Sequence, residues 1–201
     1  MKRRIDIVTD LENRKIVVIH DVIFRGRQNI EWDEIKEYLK EFVGKSFIID
    51  SVDEMIYMGV DLPLEYAGSN DTFSLKGQRA KAKANAVQGL PEMIMIAWNR
   101  SYKENHESKH RQDAKYGWYR YDTRFALPVY DEDGEVIRYN VFHAYLIIRH
   151  AADKKLYLYD LINVKKNRVT RSCPKTYLEH NSILQKKYTK QPDRPQGRSF
   201  H

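Results

Sequence analysis

Asp122, His143, Arg120 and Arg124 are the residues whose types and spacing point most directly to chemistry. They lie in the apolar-rich runs GWYRYDTRFALPVY and EVIRYNVFHAYLIIRH, which a third run, KLYLYDLINVKK, follows; the short turns DEDG and AADK separate them. Such a series reads as a β-meander. Strand side chains alternate between faces, so Tyr119, Tyr121, Phe125, Leu127 and Val129 share one face and Arg120, Asp122 and Arg124 the other. A loop over residues 131–134 sets Tyr130 opposite Glu135, and counting back places Arg124 beside Val141, Asp122 beside His143 and Arg120 beside Tyr145. Tyr119 and Thr123 then meet Leu146 and Phe142 on the apolar face. An acid, a histidine and two guanidinium groups in mutual reach can cleave a phosphodiester without a metal, because proton removal, proton return and stabilisation of the charged phosphate are all supplied. His110, on the preceding polar segment, is an alternative base or acid. The competing structural reading is a cross-strand ion pair on a solvated sheet face.

These strands need elements to hold them. Residues 1–60 read as a small β-α-β unit. KIVVIHDV is a β-branched run, Trp32, Ile35, Leu39, Phe42 and Val43 recur at helical spacing from a cap near Asn29, and Gly44 stops the helix. Residues 47–50 and 56–58 are two further strand candidates, and His20 and Asp21 end a strand, where a surface strand terminus is the favoured reading over a polar site. Residues 61–75, punctuated by Pro63, Gly68, Ser69, Asn70 and Asp71, read as a linker or surface loop. A helix is expected over residues 76–88, with Lys76, Arg79 and Lys83 at three- and four-residue spacing along it. A second helix begins at Pro91 and runs through Trp98. The expected fold class is therefore α+β, helices followed by an antiparallel meander. Residues 61–168 are expected to form a helix-plus-β-meander nuclease domain and residues 169–201 a basic tail, wrapping or disordered.

The chain has 201 residues, 42% of them hydrophobic, enough for one substantial core. Its net charge of +7 favours a polyanionic partner such as RNA, although much of the excess lies in the tail, where it describes a solvated segment. On the helical stripe, Lys76, Arg79 and Lys83 are candidate phosphate contacts, joined by Arg111 and Tyr145 as further candidate substrate-binding residues. The lone Cys173 excludes an internal disulfide framework and a cysteine zinc cluster. His106 and His110, followed by Asp113, have helical metal-ligand spacing, but SYKENHESKHRQDAKYG reads as an ordinary exposed polar segment; neither metal nor cofactor is expected. GKSFIID lacks the upstream glycine of a phosphate loop, which leaves a nucleotide transferase without support. No run of about 18 apolar residues is present, and no apolar stretch follows the basic start MKRRIDIVTD. Membrane insertion is not expected. The expected setting is the cytoplasm, or a target cell reached as part of a larger protein.

The texts KAKANAVQGLPEMI, KHRQDAKYGWYRYDTRFALPVYDEDGEVIRYNVF and LYLYDLINVKK resemble the C-terminal regions of prophage MuF-type polymorphic toxins, and the large polyvalent protein-associated domains of phages and conjugative elements. The resemblance spans roughly residues 14–168. It implies a pattern carried here by Lys83, Asn85, Lys109, His110, Arg111, Asp113, Tyr139, Leu158, Tyr159 and Asp160, with KHRQD one residue tighter than the family segment. A looser similarity is to the barnase, EndoU, colicin and RelE group of ribonucleases, which place helices before an antiparallel sheet and use the sheet as the active surface. These resemblances imply a phage-associated toxin or effector that cleaves RNA, with an immunity protein as partner. The alternative from a different class is a non-enzymatic anti-defence protein that binds nucleic acid or a nucleic-acid-bound defence enzyme through Lys76, Arg79, Lys83 and Arg111.

Overall fold

A computed structural model describes residues 3–10, 12–26, 30–106, 113–167 and the backbone of 173–174. Lys109, His110, Arg111 and the expected cap at Asn29 lie outside the described residues, as does the tail beyond residue 174.

The chain mixes helices and strands in the order β1 (Ile5–Thr9), β2 (Lys15–Ile19), α1 (Trp32–Lys40), β3 (Ser46–Ile49), β4 (Glu54–Tyr57), α2 (Leu62–Gly68), α3 (Asn70–Ser74), α4 (Gln78–Ala86), α5 (Leu90–Met95), β5 (Trp98–Lys103), β6 (Trp118–Tyr130), β7 (Val136–His150), β8 (Leu156–Lys166) and β9 (Cys173–Pro174). Among the described residues all nine strands join one sheet, ordered β1-β2-β6-β7-β8-β4-β3, with β5 on β6 and β9 on β7. The sheet is mixed, which corrects the expected antiparallel meander. Only β6–β7–β8 follow it; β2 runs parallel to β6 through Val17 and Phe125, and β4 parallel to β8 through Ile56 and Leu156. Alternation reveals strands but not their partners, and the long connections between these pairs permit parallel docking. The first sixty residues accordingly form two antiparallel hairpins, β1–β2 and β3–β4, at opposite ends of the sheet order.

Two helices replace the surface loop expected over residues 61–75. Pro63 lies in the first turn of α2, where its missing N–H costs nothing, and the Ser69 side chain accepts a hydrogen bond from Thr72 N at 3.1 Å to cap α3. The same letters that mark loops also start helices. α5 is shorter than expected and stops at Met95, which frees Trp98 to open β5.

One sheet face carries Tyr121, Phe125, Phe142, Leu146 and Leu161 into the main core with Ile35, Leu39 and Met93 from the helices. Phe125 and Phe142 stack across β6 and β7 with centroids 5.2 Å apart. The other face holds a smaller cluster of Val8, Ile16, Val18, Ala126, Tyr139 and Val141.

The β6–β7 register differs from the sequence expectation by two residues. Asp131 Oδ1 accepts from Asp133 N and Glu135 N, so the loop takes in Glu135, and Tyr130 pairs with Val136. A bulge between Val129 and Tyr130 adds a second step, so that Arg124 stands opposite His143, Asp122 opposite Tyr145 and Arg120 opposite Ile147. Two single-residue shifts preserve parity. Asp122, Arg124 and His143 therefore keep a common face, whereas either shift alone would have turned His143 into the core.

Candidate active site

Asp122 sits at the meeting point of three strands. Its Oδ1 accepts a hydrogen bond of 2.5 Å from His143 Nε2, and its Oδ2 accepts one of 2.6 Å from Asn99 Nδ2. With both oxygens occupied and only 10% of its side chain exposed, the carboxylate is held in one orientation. Asn99 reaches it from an irregular stretch of β5, between Trp98 and Ser101, where its backbone takes φ of +55°. A non-glycine residue there carries strain of about 1–3 kcal/mol, the sort of cost that surrounding structure must over-determine.

The carboxylate fixes the histidine. Placing the proton on Nε2, toward Asp122, leaves Nδ1 as the ring's lone-pair nitrogen. Trp98 meets the ring edge-on at 6.2 Å and Tyr145 at 5.0 Å with an interplanar angle of 90°, so the imidazole is clamped by aromatics while about 30% of its side chain stays exposed. Arg120 lies over the Tyr145 ring at 4.5 Å, and exposed Lys165 stands opposite His143 on β8. An oriented base with cations on its rim can remove a proton next to an anionic group.

Arg124 departs from its expected role as a surface phosphate contact. It is 2% exposed and pairs at 2.7 Å with Asp10, linking β6 to the β1–β2 turn. Burial pushes the Asp10 carboxyl up, but the hydrogen bond and charge of Arg124, aided by Arg14, more than offset this and hold it below the ordinary aspartate value. Arg124 Nη2 remains buried without a partner among the described residues.

The expected Lys76–Arg79–Lys83 stripe is also corrected. Lys76 and Arg79 are exposed, but Lys83 is 0% exposed and donates to Asp160 at 2.7 Å, with Asp71 at 3.4 Å and the Tyr66 ring 4.9 Å away. The small residues Ala80, Ala82, Ala84 and Ala86 bury α4 almost all round, which carries Lys83 inward with them. Burial drives the Asp160 carboxyl up to about 6, against the opposing pull of Lys83, Ser69 and the Leu161 N–H.

Among the other residues of the toxin-like pattern, Asn85 ties α4 to the segment after β2, accepting from Ile23 N and Phe24 N and donating to Phe24 O. Tyr159 bonds Glu65, and Tyr139 shares a hydrogen bond of 2.9 Å with His20. Lys83 and Asp160 are thus brought together, away from His143. His110 and Arg111 lie outside the described residues, so their expected roles have no placement here.

Two features escaped the sequence reading. Asn99 carries no motif, and only the structure shows that a bulge aims it at Asp122. His20, read as a strand terminus, bonds Asp6 through Nε2 at 2.9 Å as well as Tyr139 through Nδ1. No group of three or more metal-type ligands occurs among the described residues. Among the described residues, neither Asp122 nor His143 lines the cleft between α4 and the β6–β7 hairpin or the one between β4 and the β7–β8 turn. In comparisons with protein-family models, curated proteins and solved structures, the chain finds no match.

Proposed function

We propose that the chain cleaves RNA by general acid–base chemistry at His143. The observation that carries this reading is the Asn99–Asp122–His143 chain of hydrogen bonds, which orients a partly exposed imidazole and leaves Nδ1 free to accept a proton. In the reaction His143 Nδ1 takes the proton of a ribose 2′-hydroxyl, and the 2′ oxygen attacks the adjacent phosphorus. The bond to the 5′ oxygen breaks, and a 2′,3′-cyclic phosphate forms. Asp122 stabilises the resulting imidazolium, which can return its proton to the leaving 5′ oxygen; His110 is the second candidate acid. Arg120 and Lys165 offer charge to the phosphate from the rim, and Tyr145 offers a face on which a base can stack.

Helices followed by the β6–β8 meander are the arrangement implied by the resemblance to the barnase, EndoU, colicin and RelE group, an argument by analogy that adds to the site without replacing it. On this reading the protein acts as a phage-associated toxin or effector, with RNA as substrate and an immunity protein as its natural antagonist. A second reading, a non-enzymatic anti-defence protein that binds nucleic acid, is favoured by the exposed Lys76 and Arg79 and the net charge of +7. Incubation of RNA with the parent protein and with His143→Ala in EDTA separates the two: cyclic phosphate ends that vanish with His143 support cleavage, whereas equal binding and no cleavage by either protein support the binder.

A further inference from the structure

A cleft of about 730 Å³ opens on the face of the sheet opposite His143, between the first turns of α4 and the far end of the β6–β7 hairpin. Leu127 and Phe142 form an apolar floor, and this volume falls within the range of small-molecule sites. Asn140 lies in the same floor, paired with Leu127 across the strands. It is 6% exposed, and its Oδ1 is buried with no hydrogen-bond partner among the described residues. Buried carbonyl oxygens are ordinarily satisfied, so this one marks a position where an incoming N–H or O–H donor would be stabilised.

The charge of the lining narrows the ligand. Arg25 and Lys81 contribute cations, no Asp or Glu among the described residues lines the cleft, and of the acidic hairpin loop over residues 131–135 only Gly134 reaches it. Gln78, the first residue of α4, also lines the space, and the cap residue Gly77 has no side chain to bond the helix's first N–H groups. The positive end of a nine-residue helix therefore adds to the two cations. A ligand matching these features has a flat apolar body, an N–H donor at one end and an anionic group at the other.

We propose that this cleft binds a nucleoside monophosphate, with the base on Leu127 and Phe142, a base N–H donating to Asn140 Oδ1 and the phosphate at Lys81 and Arg25. The site is independent of the His143 chemistry.

Isothermal titration calorimetry of the full chain with AMP, CMP, ribose 5-phosphate and inorganic phosphate tests it. At least one nucleotide should bind with a Kd below about 1 mM, and ribose 5-phosphate about ten-fold or more weaker, because it lacks the base and its donor. Asn140→Leu should weaken the nucleotide by about ten-fold while leaving ribose 5-phosphate unchanged; Lys81→Gln should weaken both; His143→Ala should change neither. A thermal melt of each variant checks folding. If Asn140→Leu does not fold, the comparison of nucleotide with ribose 5-phosphate and the Lys81→Gln variant decide. Failure of both nucleotides to bind at millimolar concentration overturns the proposal. So does nucleotide binding no tighter than ribose 5-phosphate or indifferent to Lys81→Gln.

Discussion

Replacing Lys83 with Met should be among the most destabilising single changes in this protein, and the cost should depend on pH. The Lys83 and Asp160 side chains are 0% and 2% exposed and 2.7 Å apart, so removing the ammonium strands a carboxylate where water cannot reach it. Breaking a buried pair from one side costs about 3–5 kcal/mol. For a chain of this size that lowers Tm by roughly 6–20 °C, at about 2–4 °C per kcal/mol. The pH dependence follows from Asp160. Its carboxyl is already pushed up to about 6 by burial with Lys83 beside it, and rises further once Lys83 is gone. A folded-state value above the unfolded one gives stability that is fully present below about pH 4 and lost as pH rises through the folded value. Lys83→Met should therefore lose more at pH 8 than at pH 5, where Asp160 can protonate in place. Lys83→Met/Asp160→Leu should recover most of the loss and remove this part of the pH slope. Urea denaturation at both pH values measures the free-energy losses, and a thermal melt the shift in Tm. A loss under about 1 kcal/mol for Lys83→Met at pH 8, or equal losses at both pH values, would refute the assignment of a buried, mutually dependent pair.

Other expectations follow from single observations. Gly117 has φ of +89°, and a Cβ there would meet the Tyr102 ring at 2.7 Å and Lys103 O at 2.8 Å, so Gly117→Ala should destabilise by about 1–3 kcal/mol in a thermal melt. Neutralising Lys76 and Arg79 together should leave stability within about 0.5 kcal/mol and, under either functional reading, reduce the salt dependence of RNA binding by up to about two counterions; an unchanged salt slope would make them a solvated face. Asp122→Asn should lower the RNA cleavage rate by about 10²–10⁴-fold while the fold persists, because the histidine loses the carboxylate that orients it and stabilises its charged form. Full activity in this variant would remove Asp122 from the mechanism.

Much of the site was legible because strand alternation is a strong signal. The alternation from Tyr119 to Val129 separated Asp122 and Arg124 from Phe125 whatever the register, and the two-residue displacement left every face unchanged. What alternation could not tell was the depth of burial on the second face. Arg124 was read as exposed because no local feature announces that the Asp10 turn, over a hundred residues earlier, covers it. Lys83 was misplaced for a related reason: a stripe of cations at helical spacing looks solvated unless the alanines around it are recognised as a tightly packed seam. Strand direction and partner choice were hidden because β2 and β4 pair with strands distant in sequence, where local patterns carry no information. Asn99 depended on a bulge: its φ of +55° falls where the β5–β6 register breaks between Trp98 and Ser101, which no local pattern marks.

The central claim is that the imidazole oriented by Asp122 does the chemistry. Its most direct test is end-group analysis of a defined RNA incubated with purified protein in excess EDTA, in parallel with His143→Ala shown by its melting curve to be folded. The account predicts chelator-resistant cleavage leaving 2′,3′-cyclic phosphate and 5′-hydroxyl ends, abolished in His143→Ala while RNA binding is retained. Cleavage that leaves 5′-phosphate ends, that disappears on chelation, or that persists undiminished without His143 would contradict it.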